Sequence, residues 1–372
     1  MLSRHRRLFA LAAFVLLATP LVVGLVLPEG EASVLKEGRR PAPPPEPPAS
    51  IAAALTLPGG IDAYLKDRFG LRRFLIRAHR DLMRPALGSG GGPVLIGRDG
   101  RMFYLGDEMV RQSAGLVLRD QKVSDVADLL AQMNSELERR GVKLLVAMPP
   151  NSTTVYQDDL PFWAQNRGKT TEYDLLLKDL ADRGVKALDL RPALIAARSG
   201  GNVYLMHDTH WTDRGALAAF NAIVEADHHP DWRLAPAATL APATIRKGGD
   251  LARMLGVEDG ATERVEKQRL PEKAKPEFLS DGATPDLVLA TGEPGPTILI
   301  LGDSFTNADF PPMLSQHAGR VVWLHYRHCA FDWRLIDAFR PDEVWWMPTE
   351  RGLYCEPGAR PLNFMNPNAA LR

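Results

Sequence analysis

The sequence predicts an α/β fold: a mainly parallel central sheet covered by helices on both faces, preceded by one transmembrane helix. Three observations carry this. Compact apolar runs at 142–148, 185–190, 297–301, 320–324 and 343–347 have the length and character of strands buried on both faces. Helix-forming stretches alternate with them, the pattern of strands joined by crossover helices. Finally, Arg4, Arg6 and Arg7 precede an almost uncharged apolar run over 8–27.

That first run, at a helical rise of about 1.5 Å per residue, spans about 30 Å, the thickness of a bilayer core. Pro20 is tolerated in such a helix. Positive charge ahead of the span favours a cytoplasmic amino terminus and places the rest of the chain outside the cytoplasm. The alternative is a cleaved signal peptide, for which the small-residue cleavage pattern is weak. Pro41, Pro43, Pro44, Pro45, Pro47 and Pro48 then read as a stiff spacer. The expected organisation is a cytoplasmic stub and signal-anchor helix over 1–28, a tether over 29–59 and one α/β domain over 60–372.

Residues 61–87 read as one or two amphipathic helices broken near Gly70. Arg68, Arg72, Arg73, Arg77, Arg80 and Arg84 form a basic face, read as solvated, with a contact to a lipid surface or anionic polymer as the alternative. Gly97-Arg98-Asp99-Gly100, between Val94-Leu95-Ile96 and Met102-Phe103-Tyr104-Leu105, signals a hairpin. Helices follow at 122–140, ending at Gly141, and at 173–183, ending at Gly184. A helix at 213–226 has Thr212 as its cap. Residues 230–296 read as loop-rich, with a short helix at 250–255. A last helix is expected at 333–339.

Composition narrows the function. The 372 residues hold 45 Lys plus Arg and 45 Asp plus Glu, so no net cationic field recommends a nucleic-acid partner. Two cysteines, Cys329 and Cys355, allow one bridge at most and are too few for a four-thiolate metal site. Their pairing stays open at the level of sequence.

Chemistry concentrates at two places. The strand at 297–301 runs into Gly302-Asp303-Ser304, and ligands collect at the carboxyl ends of such strands. There Ser304 is either a nucleophile, with its own N–H as one oxyanion donor, or part of a helix cap. A serine hydroxyl needs a base to take its proton. His210 in Asp208-Thr209-His210-Trp211 is the candidate, with Asp208 to hold its ring, on one face of an extended segment or across a loop turn. A structural or surface histidine is the plainer alternative, and a metal reading of His207, Asp208 and His210 fares worse, because neighbours 207 and 208 diverge in an extended chain. His228 and His229 read as loop residues. His325 and His328 flank a strand end and read as solvated, with a cleft position as the alternative.

These motifs resemble the AlgJ/AlgX-type polysaccharide O-acetyltransferases, whose catalytic domain is similar to the SGNH hydrolases. The resemblance rests on Asp208-Thr209-His210-Trp211-Thr212 and Gly302-Asp303-Ser304-Phe305. It is supported by Val94-Leu95-Ile96-Gly97-Arg98-Asp99-Gly100, by Pro150-Asn151-Ser152-Thr153-Thr154, and by Gly249-Asp250-Leu251, together covering most of 60–351. It implies a three-layer SGNH-like sandwich, with Ser304 as nucleophile, His210 as general base and acid, and Asp208 orienting His210. Asn151, at the end of the 142–148 strand, is a candidate oxyanion or substrate contact, with loop capping as the alternative. No cofactor or metal is expected.

The implied reaction is O-acetylation of a bacterial exopolysaccharide, alginate-like, in the periplasm. The implied partners are the polysaccharide acceptor and a multi-spanning inner-membrane acyltransferase that supplies acetyl groups. Ser152 stands where family members often have lysine, so the polymer need not be alginate itself. The resemblance is to the anchored, single-domain type. The same residues would serve an acetylesterase. A non-catalytic polysaccharide-binding protein is the third reading, with Trp163, Trp211, Trp323, Trp345 and Trp346 either stacking on sugars or filling the core.

Overall fold

The computed structural model describes residues 2–26, 44–48, 50–67, 92–355, 359 and 361. They fall into two compact units, one of residues 1–92 with 252–259, the other of 93–251 with 260–372.

In the first unit a helix runs Leu2–Val26 over the apolar segment, with Pro20 inside it. Leu8, Phe9, Leu11, Phe14, Val15, Leu16 and Leu17 are all exposed. Among the described residues no helix is long and apolar enough to cross a membrane. The structure thus supplies a helix where the sequence expects a transmembrane one, but not the crossing itself. A second helix, Ile51–Asp67, starts within the stretch read as tether. Ala52, Ala53, Ala54 and Leu55 are strong helix formers, which accounts for the early start. The basic face at Arg68–Arg84 and the break at Gly70 lie outside the described residues.

The second unit is built on a six-stranded sheet. Its strands are β3 (Lys143–Val146), β6 (Glu277–Phe278), β7 (Leu287–Ala290), β8 (Thr297–Gly302), β9 (Arg320–His325) and β10 (Glu343–Met347), in the order β3-β10-β8-β9-β7-β6. The first four strands in that order are parallel, and β7 and β6 add antiparallel at one edge. Side chains alternate across the sheet. Ile298, Ile300, Trp323 and Trp345 enter one core. Leu299, Leu301, Val322 and Trp346 enter the other. The helix Asp213–Ala226 packs its apolar face into the first core. The helices Asp120–Glu138, Glu172–Asp182 and Trp333–Phe339 pack into the second. This is a three-layer sandwich.

Helix starts follow their capping chemistry. Thr171 and Asp174 form a reciprocal capping box for Glu172–Asp182. The Thr212 hydroxyl accepts the Gly215 N–H at 3.2 Å. The expected hairpin pairs β1 (Val94–Ile96) with β2 (Met102–Tyr104) around Asp99 and Gly100, both with positive φ. A second antiparallel pair, β4 (Thr244–Lys247) with β5 (Thr262–Val265), lies in the region read as loop.

Two expectations change. Residues 185–190 form no strand: a single parallel bridge, Val146 to Ala187, is all that pairs. Asp189 instead accepts from the backbone and guanidinium of Arg191 and turns the chain into the helix Arg191–Ala197. Conversely, β6 and β7 come from the region with no clear strand signal. The two cysteines are joined, Cys329 to Cys355.

Candidate active site

Ser304 stands at the carboxyl end of β8, as the first residue of a short helix, Ser304–Asn307. Gly302 is needed before it for close approach. A Cβ there would sit 2.1 Å from Thr306 Oγ1 and 3.2 Å from Trp323 Nε1. Asp303 fixes the turn from both sides. Its Oδ1 accepts the Phe305 N–H at 3.0 Å, and its Oδ2 accepts the Thr349 N–H at 2.8 Å and hydroxyl at 2.7 Å. Thus the nucleophile turn is tied to the loop leaving the neighbouring strand β10. As the first N–H of its helix, that of Ser304 has no intrahelical acceptor.

The histidine comes from a loop, not a strand. Tyr204 and Trp211 bridge antiparallel, and the Leu205 N–H bonds the His210 carbonyl at 3.1 Å, closing residues 205–210 into a tight turn. Inside it Asp208 Oδ1 accepts both the His210 backbone N–H at 3.2 Å and its Nδ1 at 2.8 Å. The carboxylate therefore orients ring and backbone together. The turn alternative, not the extended one, is the geometry found.

Aromatic packing brings the two loops together across the chain. Trp211 Nε1 donates to the Phe305 carbonyl at 2.9 Å, and the Phe305 ring centroid lies 5.0 Å from that of His210 and 5.4 Å from that of Trp211. His210 Nε2 then stands 2.9 Å from Ser304 Oγ. With Nδ1–H donating to Asp208, Nε2 is the unprotonated nitrogen that can accept the serine proton.

The second Asp208 oxygen accepts from Arg246 Nη2 at 2.7 Å and from the Asp250 N–H at 3.2 Å. Burial pushes the Asp208 carboxyl up, but the His210 and Arg246 contacts outweigh it and hold the group well below the usual carboxylate range. A second carboxylate, Asp250, stands 3.9 Å from His210 Nδ1 and accepts the Thr209 N–H at 2.8 Å. Burial and the Asp208 charge both push it up. One carboxylate thus stays charged beside the imidazole while its neighbour is driven toward the neutral form. Gly249 lets this loop close in, because a Cβ there would sit 2.0 Å from the His207 carbonyl oxygen.

Other sequence candidates separate. His207 turns to Glu263, with Nδ1 3.6 Å from Oε1, so it does not join Asp208 and His210 as a ligand set. Asn151 is 1% exposed; its N–H donates to Glu350 Oε2 at 2.7 Å and its Nδ2 to Gln112 Oε1 at 3.4 Å. Its backbone N–H and one of its two Nδ2 hydrogens are thereby occupied. Trp211, Trp323, Trp345 and Trp346 are core residues, whereas Trp163 is exposed. His325 pairs in register with Gly302 at the same sheet end, and burial lowers its pKa. His328 instead meets the Tyr326 hydroxyl at 2.8 Å. His229 is no bland loop residue: its Nε2 lies 3.1 Å from Glu343 Oε1. Sequence reading missed Arg246, Glu263 and Thr349, and gave Asp250 no role of its own. A lone charged residue in a loop carries no positional signal; only Gly249-Asp250 offered a recognisable local pattern.

Residues 94–345 match the family model described as "SGNH hydrolase-like domain, acetyltransferase AlgX". A protein of Pseudomonas syringae pv. tomato named "Probable alginate O-acetylase AlgJ" is 28% identical over 161 residues, 42% of this chain and 39% of that one. Its namesake in Azotobacter vinelandii is 32% identical over 131 residues, 35% of this chain and 32% of that one. The match thus spans well under half the length of these relatives. The solved structure of Bacillus cereus PatB1 with a sulfonyl adduct shares the fold, with a TM-score of 0.53 at 15% identity over 71% of this chain and 95% of that one. With the family model spanning β1 through most of β10, this chain belongs to the SGNH hydrolase-like AlgX acetyltransferase family.

Proposed function

We propose that this protein is an O-acetyltransferase that acetylates a bacterial exopolysaccharide, alginate-like in class, through an acetyl-serine intermediate. Family membership and the relatives named as alginate O-acetylases support the activity. The observation that carries the mechanism is the relay Ser304 Oγ, His210 Nε2 at 2.9 Å, His210 Nδ1 and Asp208 Oδ1 at 2.8 Å.

In the first half-reaction His210 takes the Ser304 proton as Oγ bonds to the acetyl carbon of a donor. The donor's acyl bond breaks and the proton passes from His210 to the leaving group. In the second, His210 takes a proton from a sugar hydroxyl, whose oxygen bonds to the acetyl carbon. The Ser304–acetyl bond breaks, and the proton returns to Oγ. Asp208 stabilises the imidazolium in both halves without being protonated. The Ser304 N–H supplies one oxyanion donor. Asn151 keeps a second Nδ2 hydrogen for the role of the other donor.

The helix Leu2–Val26 serves in this reading as an anchor in the inner membrane, with the catalytic unit in the periplasm. The basic residues before an apolar run support that orientation. The Cys329–Cys355 bridge supports an oxidising compartment. A multi-spanning membrane acyltransferase is the proposed source of acetyl groups.

The test is mass analysis of the protein and the polymer after incubation with an activated acetyl ester. Acetyl on Ser304 that moves to polysaccharide supports the transferase. Free acetate released at the same rate with or without polymer makes the protein an esterase. Unchanged polymer acetylation by a Ser304→Ala variant removes the mechanism.

A further inference from the structure

At the far end of the sheet a second group of side chains converges. Glu343 opens β10, whereas Met347 closes it opposite Gly302. At about 3.3 Å per residue, roughly 13 Å of strand separates this place from the Ser304 turn. The helix Asp213–Ala226 ends here. The Asp227 N–H bonds the Ile223 carbonyl and the His229 N–H bonds the Val224 carbonyl, both at 2.8 Å. Between them His228 takes a left-handed conformation, φ 63°, which is uncommon for a residue with a side chain. This turn folds the 227–229 segment back so that Asp227 and His229 face Glu343.

His229 Nε2 lies 3.1 Å from Glu343 Oε1 and 3.9 Å from Asp227 Oδ2, and the three donor atoms are all within 4.8 Å of one another. Asp227 and Glu343 are 5% and 4% exposed. Asp227 Oδ2 receives no N–H donor and meets the Glu343 carboxyl, while its Oδ1 meets Lys186 Nζ at 2.7 Å. Two buried carboxyl groups in contact need a proton or a cation between them. The Trp232 ring stacks on His229 at 4.2 Å and 14°, fixing the imidazole plane. Glu343 is held by Trp345 Nε1 at 3.2 Å.

We propose that Asp227, His229 and Glu343 form a binding site for a divalent metal ion of the zinc class. One imidazole nitrogen and two carboxylate oxygens are a three-ligand set for zinc, with water as the fourth ligand. Metal–ligand bonds of about 2.0–2.2 Å in tetrahedral geometry place ligand atoms roughly 3.3 Å apart. The observed separations need only small side-chain movement to reach that. The metal takes the place between the Asp227 and Glu343 carboxyl groups, and the partly exposed His229 leaves a path for entry. Lys186 stays on the other Asp227 oxygen. Lys143, 69% exposed and 3.3 Å from Glu343 Oε1, is free to swing into solvent when the metal arrives. The ion clamps the start of β10 to the end of the helix Asp213–Ala226, independently of the chemistry at Ser304.

The test is equilibrium dialysis of the untagged full chain, stripped with chelator, against Zn2+, together with Tm measured with and without Zn2+. The expected result is one equivalent retained and a Tm raised by several degrees. The equivalent is retained in His210→Gln, which dismantles the other three-ligand group, Asp208, His210 and Asp250. It is lost in His229→Gln and in Asp227→Asn. Zinc absent from the wild-type chain, or held equally by His229→Gln, overturns the site. So does loss in His210→Gln with retention in His229→Gln.

Discussion

Arg246 Nη2 meets Asp208 Oδ2 at 2.7 Å, on the oxygen that His210 does not use. Its other nitrogen, Nη1, faces Glu263 Oε1 at 3.5 Å, and Glu263 in turn accepts the Met206 N–H at 2.8 Å. The carboxylate that orients the histidine is therefore itself held, from the β4–β5 pair, by a planar cation with a fixed fork.

Removing this support costs rate, not substrate binding. Arg246→Met is expected to lower kcat about 10- to 100-fold with KM nearly unchanged, because the imidazole drifts from its line to Ser304. Arg246→Lys recovers part of the loss. Steady-state kinetics on all three forms checks this; an unaltered kcat in Arg246→Met removes the positioning role.

Replacing the held group itself is more severe. Asp208→Asn keeps the shape of the turn but favours the wrong imidazole tautomer. Turnover is expected to fall about 10³- to 10⁴-fold. Far-ultraviolet circular dichroism should match the wild type. Turnover within a few-fold of wild type is the result against the relay.

Glu350 gives stability a pH dependence. It is fully buried, accepts the Asn151 N–H at 2.7 Å and the Thr154 hydroxyl at 2.7 Å, and burial pushes its carboxyl from 4.5 up to about 7. The folded state therefore keeps a proton that the unfolded chain releases. Between about pH 4.5 and pH 7 this group makes stability fall as pH rises, by on the order of 3 kcal/mol, and the effect levels off above pH 7. Glu350→Gln should flatten that slope in urea unfolding measured from pH 5 to pH 8. Identical slopes in the two proteins contradict it.

The Cys329–Cys355 bridge closes a loop of sequence separation 26 that contains the helix Trp333–Phe339 and strand β10. Chain-entropy reasoning gives it a contribution of about 3 kcal/mol. Reduction, or Cys355→Ser, should lower Tm by several degrees without changing the rate at room temperature. A Tm indifferent to reductant tells against a stabilising role.

Local chemistry determined the parts of this protein that lie close in sequence. The apolar runs at 297–301, 320–324 and 343–347 are strands because they are buried on both faces. Thr212 caps a helix because its hydroxyl lies three residues from an unpaired N–H. Asp208 reaches His210 because two residues separate them. The nucleophile stood out because a glycine–aspartate–serine turn ends a wholly apolar strand. Tertiary structure alone decided the rest. Strands β6 and β7 exist because an edge of the sheet was open to pair. Arg246, Asp250, the Asp303–Thr349 tie and the Asp227–His229–Glu343 group are each made of residues from different elements. Their meaning lies in which charges the packed aromatic cores press together, and no spacing along the chain encodes that distance.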